Sequence, residues 1–173
     1  MLKIYLTQLR GVLEKLIEKN EETFEDAARL LAQAVVSDGT VFIYGFEEMR
    51  AVAIEALESP NKIADAQPLN REPLTLSPMD RVILITRQDD DTSAAKLAKK
   101  ISETGAMTIG MSTVTKGDLH PFSETVDVHI NLNSHRALIP TESGDRVGVP
   151  STLAALFSYH GLYFTLLEVL EDQ

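Results

Sequence analysis

The stretch with the most capacity for chemistry is LITRQDDDTSAAKLAKK, residues 84–100. An apolar run stops at Thr86, a short loop follows, and a helix-like pattern opens at Thr92 and Ser93. A strand that passes through a loop into a helix start presents free backbone N–H groups and suits a phosphate. Thr86 and Gln88 can donate hydrogen bonds, and the Arg87 guanidinium can grip a phosphate in two-pronged fashion. Against this stand Asp89, Asp90 and Asp91. A carboxylate about 4 Å from a phosphate costs about 1 kcal/mol in water and about 4 kcal/mol at an effective dielectric near 20. Arg87 can offset one such group but not several. Asp90 and Asp91 have a structural alternative: pointing outward, an aspartate caps the helix and is worth about 1 kcal/mol. The carboxylates would then fill the anion site from within. Three adjacent carboxylates also offer oxygens to magnesium, but such runs are common in solvated loops, and no metal is assigned.

The elements that must position this loop follow from periodicity. Leu2, Leu6, Leu9, Leu13 and Leu16 form a heptad-like stripe, so residues 1–19 read as a leading helix that either packs on its own domain or meets another subunit. Thr23 with Asp26 forms a capping-box pattern and predicts the start of a second helix, ended by Asp38 and Gly39. Residues 40–45 predict a buried strand, and a helix follows from Glu47 to Leu57. KIADA is a candidate short strand, and QPLNREPLTLSP, with three prolines, predicts loop. Strands are expected at 80–86, 107–113 and 126–133, a helix ending at Gly105 lies between the first two, and a long helix closes the chain from Ser151. Apolar and polar residues alternate over 126–133, which predicts an edge strand.

Strands alternating with helices predict an α/β fold: a three-layer α/β/α sandwich around a five-stranded parallel sheet of flavodoxin-like order 2-1-3-4-5, with an extra N-terminal helix. Residues 1–173 read as a single domain. In such a sheet ligands bind beyond the carboxyl ends of the strands. The exits here carry Gly45 to Arg50, Thr86 to Ser93, Ser112 with Thr113, Ser134 to Arg136, and Ser151 with Thr152. His135 can reach that crevice with Arg136, but it has no metal spacing with His129, and His120, His129 and His135 each read as structural or solvated. A phosphorylated receiver module shares the topology but needs an acceptor aspartate at the end of the third strand, where Thr86 stands.

Composition narrows the partners. Sixteen Lys and Arg against 26 Asp and Glu give a formal net charge of -10, which disfavours nucleic acid and anionic membranes but not a small anion held by local cations. The chain has no cysteine, which excludes disulfides, thiolate catalysis and zinc-thiolate sites and fits a cytoplasmic protein. No run of about 18 consecutive apolar residues is present.

Several segments resemble the sugar-isomerase (SIS) domain family, which includes phosphoheptose isomerases and phosphosugar-binding modules. FEDAARLLAQAVVSDGTVFIYG is similar to the family's entry into its first strand, and MDRVILIT with AAKLAKKISETGAMTIGMS to its central strand, phosphate loop, helix and next strand. DLHPFSETVDVHINL and DRVGVPSTLAALFSYHGLYFTLLEVLED resemble the approach to its last strand and its closing helix. The chain departs from the family at the phosphate loop, where a Ser-x-Ser-Gly-x-Ser/Thr pattern is replaced by Thr86, Gln88, Asp89 and Asp91. At the first exit only Gly45 survives of a glycine- and serine-rich turn.

The resemblance implies a phosphosugar-binding protein related to phosphoheptose isomerase, acting as a dimer or tetramer without a cofactor. Gly45, Thr86, Arg87, Gln88, Thr92, Ser93, Ser151 and Thr152 would meet the phosphate. Aldose–ketose isomerisation is the implied but less favoured activity, with Glu55 or Glu58 and His160 as the acid–base pair. The competing expectation is a non-catalytic SIS-fold interaction or regulatory module that has lost phosphate binding.

Overall fold

A computed structural model describes residues 1–172, so Gln173 lies outside the described residues. Strands β1 (Val41–Gly45), β2 (Gln67–Pro68), β3 (Arg81–Gln88), β4 (Met107–Thr113) and β5 (Val128–Asn131) form an all-parallel sheet of order β2-β1-β3-β4-β5. This is the order expected from the sequence. Helices α1 (Leu2–Val35), α2 (Arg50–Glu58), α3 (Thr92–Ser102) and α4 (Ser151–Glu171) complete the layers.

β3 is the central strand, and its first six residues are all buried. A parallel strand covered on both faces needs a continuous apolar run rather than an alternating one. Val82 and Leu84 pack with Ala94, Leu97 and Ile101 of α3. Ile83 and Ile85 face the opposite layer, with Phe24 and Leu31 of α1, Val52 of α2 and Ala155 and Leu162 of α4. β5 lies at one edge of the sheet, as its alternation predicts.

Three expectations need correction. The first two helices are one, 34 residues long, and Thr23 sits inside it rather than capping a new start. Nothing between residues 19 and 24 stops the helix, and Asn20 is used otherwise. Its amide donates to the Leu16 carbonyl (2.7 Å) and the Asn131 carbonyl (3.0 Å), and its Oδ1 accepts from the Asn131 N–H (2.9 Å). A buried asparagine thereby pairs α1 with the open edge of β5. Second, β2 is not in KIADA but in Gln67–Pro68, within the segment expected to be loop. Asp65 takes a left-handed φ of 56° and breaks the extended run before it. An edge position then tolerates Pro68, which has no N–H to donate. Third, residues 139–147 hold an unforeseen hairpin, β6 (Ile139–Pro140) with antiparallel β7 (Arg146–Val147).

The sequence left open what covers the leading stripe. Leu16 is fully buried in the domain, whereas Leu2 and Leu6, further towards the N-terminus, stay largely exposed. α4 is long and apolar enough by length and composition to cross a membrane. Here it buries Ala154, Ala155, Tyr159, Leu162 and Leu166 while Leu153, Phe164 and Leu167 stay exposed.

Replacing Asn20 leaves both backbone groups of Asn131 without their partner, so Asn20→Ala is expected to lower unfolding stability by about 2 kcal/mol. Thr23→Ala, at a helix-interior position, is expected to change it by less than about 0.5 kcal/mol. Urea denaturation of the two variants checks both; a loss near 1 kcal/mol at Thr23 would restore the capping role.

Candidate functional site

The three aspartates after β3 diverge. The pairing of β3 with β4 shifts register between Ile85 and Gln88, and the chain then turns Asp89 inward. Asp89 is 0 % exposed. Its carboxylate accepts from the Thr115 N–H (2.7 Å), lies 2.7 Å from His120 Nδ1 and accepts from Ser123 Oγ (3.2 Å). Its backbone N–H donates to the Thr113 carbonyl and its carbonyl accepts from the Phe122 N–H. Burial pushes the Asp89 carboxyl upward, but the hydrogen bonds from Thr115, His120 and Ser123 more than reverse this and leave it below the ordinary carboxylate range. Asp90 is exposed. Asp91 caps α3, accepting from the N–H groups of Ser93 (2.9 Å) and Ala94 (3.1 Å), and takes the Thr86 hydroxyl on its other oxygen (2.7 Å). The α3 N-terminus is therefore occupied by the protein's own carboxylate. No group of three or more His, Asp or Glu side chains is placed to hold a metal among the described residues.

The remaining residues of the expected phosphate loop are similarly engaged or turned away. Arg87 pairs with Glu48 through both Nε and Nη2 (the latter at 2.8 Å) and reaches Glu47 at 3.3 Å. The hydrogen bond to Arg87 outweighs burial and holds the Glu48 carboxyl below its ordinary value. A phosphate beside Arg87 would face Glu47 and Glu48, and one cation already paired with two carboxylates does not offset a further anion. Gly45 is sterically required where it stands: an added Cβ would collide with the Met49 backbone, which folds back in the 3-10 turn Glu47–Met49. Thr92 and Ser93 are exposed at the start of α3. Ser151 is buried, with its hydroxyl 3.2 Å from Ser134 Oγ, and Thr152 is half-buried beside it.

The expected acid–base pair is partly assembled. Glu55 Oε1 lies 3.1 Å from His160 Nε2, and the Asn61 amide approaches both, at 3.3 and 3.5 Å. Hydrogen bonds from Asn61, Ser59 and His160 hold the Glu55 carboxyl below its ordinary value. Glu58, one turn further along α2, is exposed and makes no such contact. The pair sits on the flank of the sheet. His160 lies nine residues into α4, about 13 Å along its axis from Ser151 at the carboxyl edge.

At the carboxyl edge itself a different set of residues converges. Gln88, Thr113 and Thr115 meet Lys116, His135 and Arg136 around a cavity of about 300 Å³. Lys116, His135 and Arg136 also line a neighbouring hollow of about 530 Å³, to which α1 contributes Gly11, Lys15 and Lys19. Burial first, then the charges of Lys19 and Lys116, lower the His135 pKa, while Asp89 works weakly the other way. Of these residues the sequence pointed to Gln88, Thr113, His135 and Arg136 at strand exits. It gave no sign of Lys116, because that residue depends on the fold of the β4–β5 loop. Lys15 and Lys19 share a helix face, but only tertiary packing turns that face to the crevice.

Residues 1–170 match a family described as a domain of unknown function, DUF2529. The chain is also 40 % identical to the uncharacterized protein YwjG of Bacillus subtilis over 174 residues, covering 99 % of each chain. The chain belongs to the DUF2529 family. Among solved structures this DUF2529 protein is similar to c3406 of Escherichia coli CFT073 in complex with arabinose 5-phosphate. That likeness has a TM-score of 0.71 and 13 % identity over 99 % of this chain and 90 % of that one. It is similar also to MJ1247 of Methanococcus jannaschii, for which a 3-hexulose-6-phosphate isomerase function is inferred. There the TM-score is 0.63 and the identity 16 % over 99 % and 89 % of the two chains. At such identities the likeness shows the fold, and the DUF2529 chain has the SIS-like architecture expected from its sequence.

Because the folded Asp89 pKa is depressed, its contribution to stability is full above the unfolded value near pH 4 and is lost as pH falls through the lower folded value. Asp89→Asn is expected to lower the melting temperature at pH 7 and to flatten the fall between pH 5 and 3. Melting curves across that range check the pair of effects; a variant as stable as the parent at pH 7 would deny the carboxylate its organising role.

Proposed function

We propose that this protein binds a phosphorylated sugar at the carboxyl edge of its sheet and does not isomerise it. The phosphate is held by Lys116, His135 and Arg136 rather than by the loop after β3. The observation that carries this is the convergence of those three groups with Gln88, Thr113 and Thr115 on one cavity in a chain of net charge -10. A local cluster of cations outweighs a negative mean field at short range. The SIS-like fold supports a carbohydrate derivative as the ligand, and one similar structure holds arabinose 5-phosphate. Isomerisation needs a base and an acid at the reacting carbons. Glu55 and His160 line neither cavity and stand about two turns of α4 or more from its edge.

A second reading draws on the self-occupied loop. With Asp91 capping α3 and Arg87 paired to Glu48, the protein would be an SIS-fold interaction module without a phosphate ligand.

A thermal-shift panel of arabinose 5-phosphate, glucose 6-phosphate and inorganic phosphate separates the two. A ligand at a hundred times its dissociation constant adds about 2.7 kcal/mol, a rise of several degrees. Lys116→Ala and Arg136→Ala are expected to reduce that rise sharply, and Arg87→Ala to retain it. No shift with any compound selects the interaction module, and a shift lost with Arg87→Ala returns the ligand to the β3 loop. A bound phosphate raises the depressed His135 pKa, so affinity is expected to increase as pH falls from 8 to 6. Titration calorimetry at several pH values checks the sign.

A further inference from the structure

We infer that the ligand is a sugar carrying two separated phosphates, the second held by Lys15 and Lys19 of α1; this rests on the phosphosugar reading above. The 300 Å³ cavity and the 530 Å³ hollow share Lys116, His135 and Arg136, so they adjoin across these three side chains. A single phosphate at the shared cations leaves the α1 wall of the larger hollow unmatched. That wall carries Lys15 and Lys19, four residues apart and therefore on one face of the helix. The Lys19 ammonium is aimed by a 3.3 Å hydrogen bond to Asn133 Oδ1, at the exit of β5. Among the described residues no carboxylate lies within 4.0 Å of the charged groups of Lys15, Lys19, Lys116 or Arg136. Cations gathered around one space, with only the buried Asp89 carboxylate acting on them and no ion pair of their own, repel one another, and a second anionic group relieves that repulsion.

Gly11 is an independent observation on the same wall. Glycine is the least favoured residue in a helix interior apart from proline. Gly11 nevertheless sits inside α1 with no left-handed φ, and an added Cβ would meet nothing within 4 Å. Neither backbone conformation nor close packing requires glycine there. Its missing side chain leaves the floor of the larger hollow open beside Lys15, where the body of an elongated ligand would pass. A space of this size is ordinary for small-molecule ligands.

The experiment compares glucose 1,6-bisphosphate with glucose 6-phosphate and glucose 1-phosphate by titration calorimetry on the full chain. The bisphosphate is expected to bind about tenfold or more tightly than either monophosphate. In the double variant Lys15→Ala, Lys19→Ala that advantage is expected to fall below about threefold. Gly11→Leu fills the floor and is expected to weaken the bisphosphate by about tenfold while the melting temperature holds or rises, because leucine favours the helix. Equal affinities in the parent protein, an advantage that survives the double variant, or unchanged bisphosphate binding in Gly11→Leu would each overturn the inference. Monophosphate binding that depends on Lys116 and Arg136 without a bisphosphate advantage sinks this inference and leaves the phosphosugar reading standing. Binding of none of the three compounds sinks both.

Discussion

A buried carboxylate organises the carboxyl edge of this sheet. An ionised group removed from water is costly unless donors replace its hydration. Asp89 finds its donors in the Thr115 N–H, His120 and Ser123, all in the segment joining β4 to β5. One side chain at the exit of the central strand thus pins a long connection that has no strand or helix of its own to fix it. Lys116 follows Thr115 directly, so the residue that brings positive charge to the crevice is held in place by a negative one beneath it. The same segment supplies Phe122, whose ring closes the core on the α3 side.

The neighbouring acidic residues act by the same logic with different partners. Asp91 satisfies the N-terminus of α3, and Glu48 with Glu47 satisfies Arg87. In the loop after β3 the Thr86 hydroxyl, the Arg87 guanidinium and the N–H groups of Ser93 and Ala94 are taken by the protein's own carboxylates. Exposed ion pairs of this kind contribute little stability, but they fix where an external anion is not welcome. The electrostatic focus then lies at the exits of β4 and β5, where their cations meet those of α1 and no carboxylate forms an ion pair with Lys15, Lys19, Lys116 or Arg136 among the described residues. A net charge of -10 describes the whole surface and conceals that focus.

α1 connects fold and site. Its second half is core, with Phe24, Ala27, Ala28 and Leu31 packed against the sheet and α4 and joined by Leu16 from just before Asn20. Its first half runs on past the domain edge and forms a wall of the larger hollow. Asn20 marks the changeover and joins the helix to the backbone of β5. A break at Thr23 would have uncoupled the two halves. Continuity of the helix is what sets Gly11, Lys15 and Lys19 at a fixed distance from the β5 exit.

The alternation of buried strands and amphipathic helices, the sheet order, the edge position of β5 and the aspartate cap on α3 were all legible in the sequence. Each follows from local periodicity, chain connectivity or a residue's own hydrogen-bonding habit. The local pattern misled where two local preferences competed, as at Thr23, whose capping-box spacing loses to a helix with no reason to stop. It misled again at Gln67–Pro68, in a segment whose prolines suit a loop until a neighbouring strand offers an edge. Glu55 and His160 were recognisable candidates because the resemblance named their helices, yet their distance from the crevice was not. Only the tertiary structure decided which charges meet. Coulomb attraction and repulsion depend on separation in space, and the pairing of Asp89 with His120, Arg87 with Glu48, and Lys15 with the exits of β4 and β5 joins residues from 31 to more than 100 positions apart.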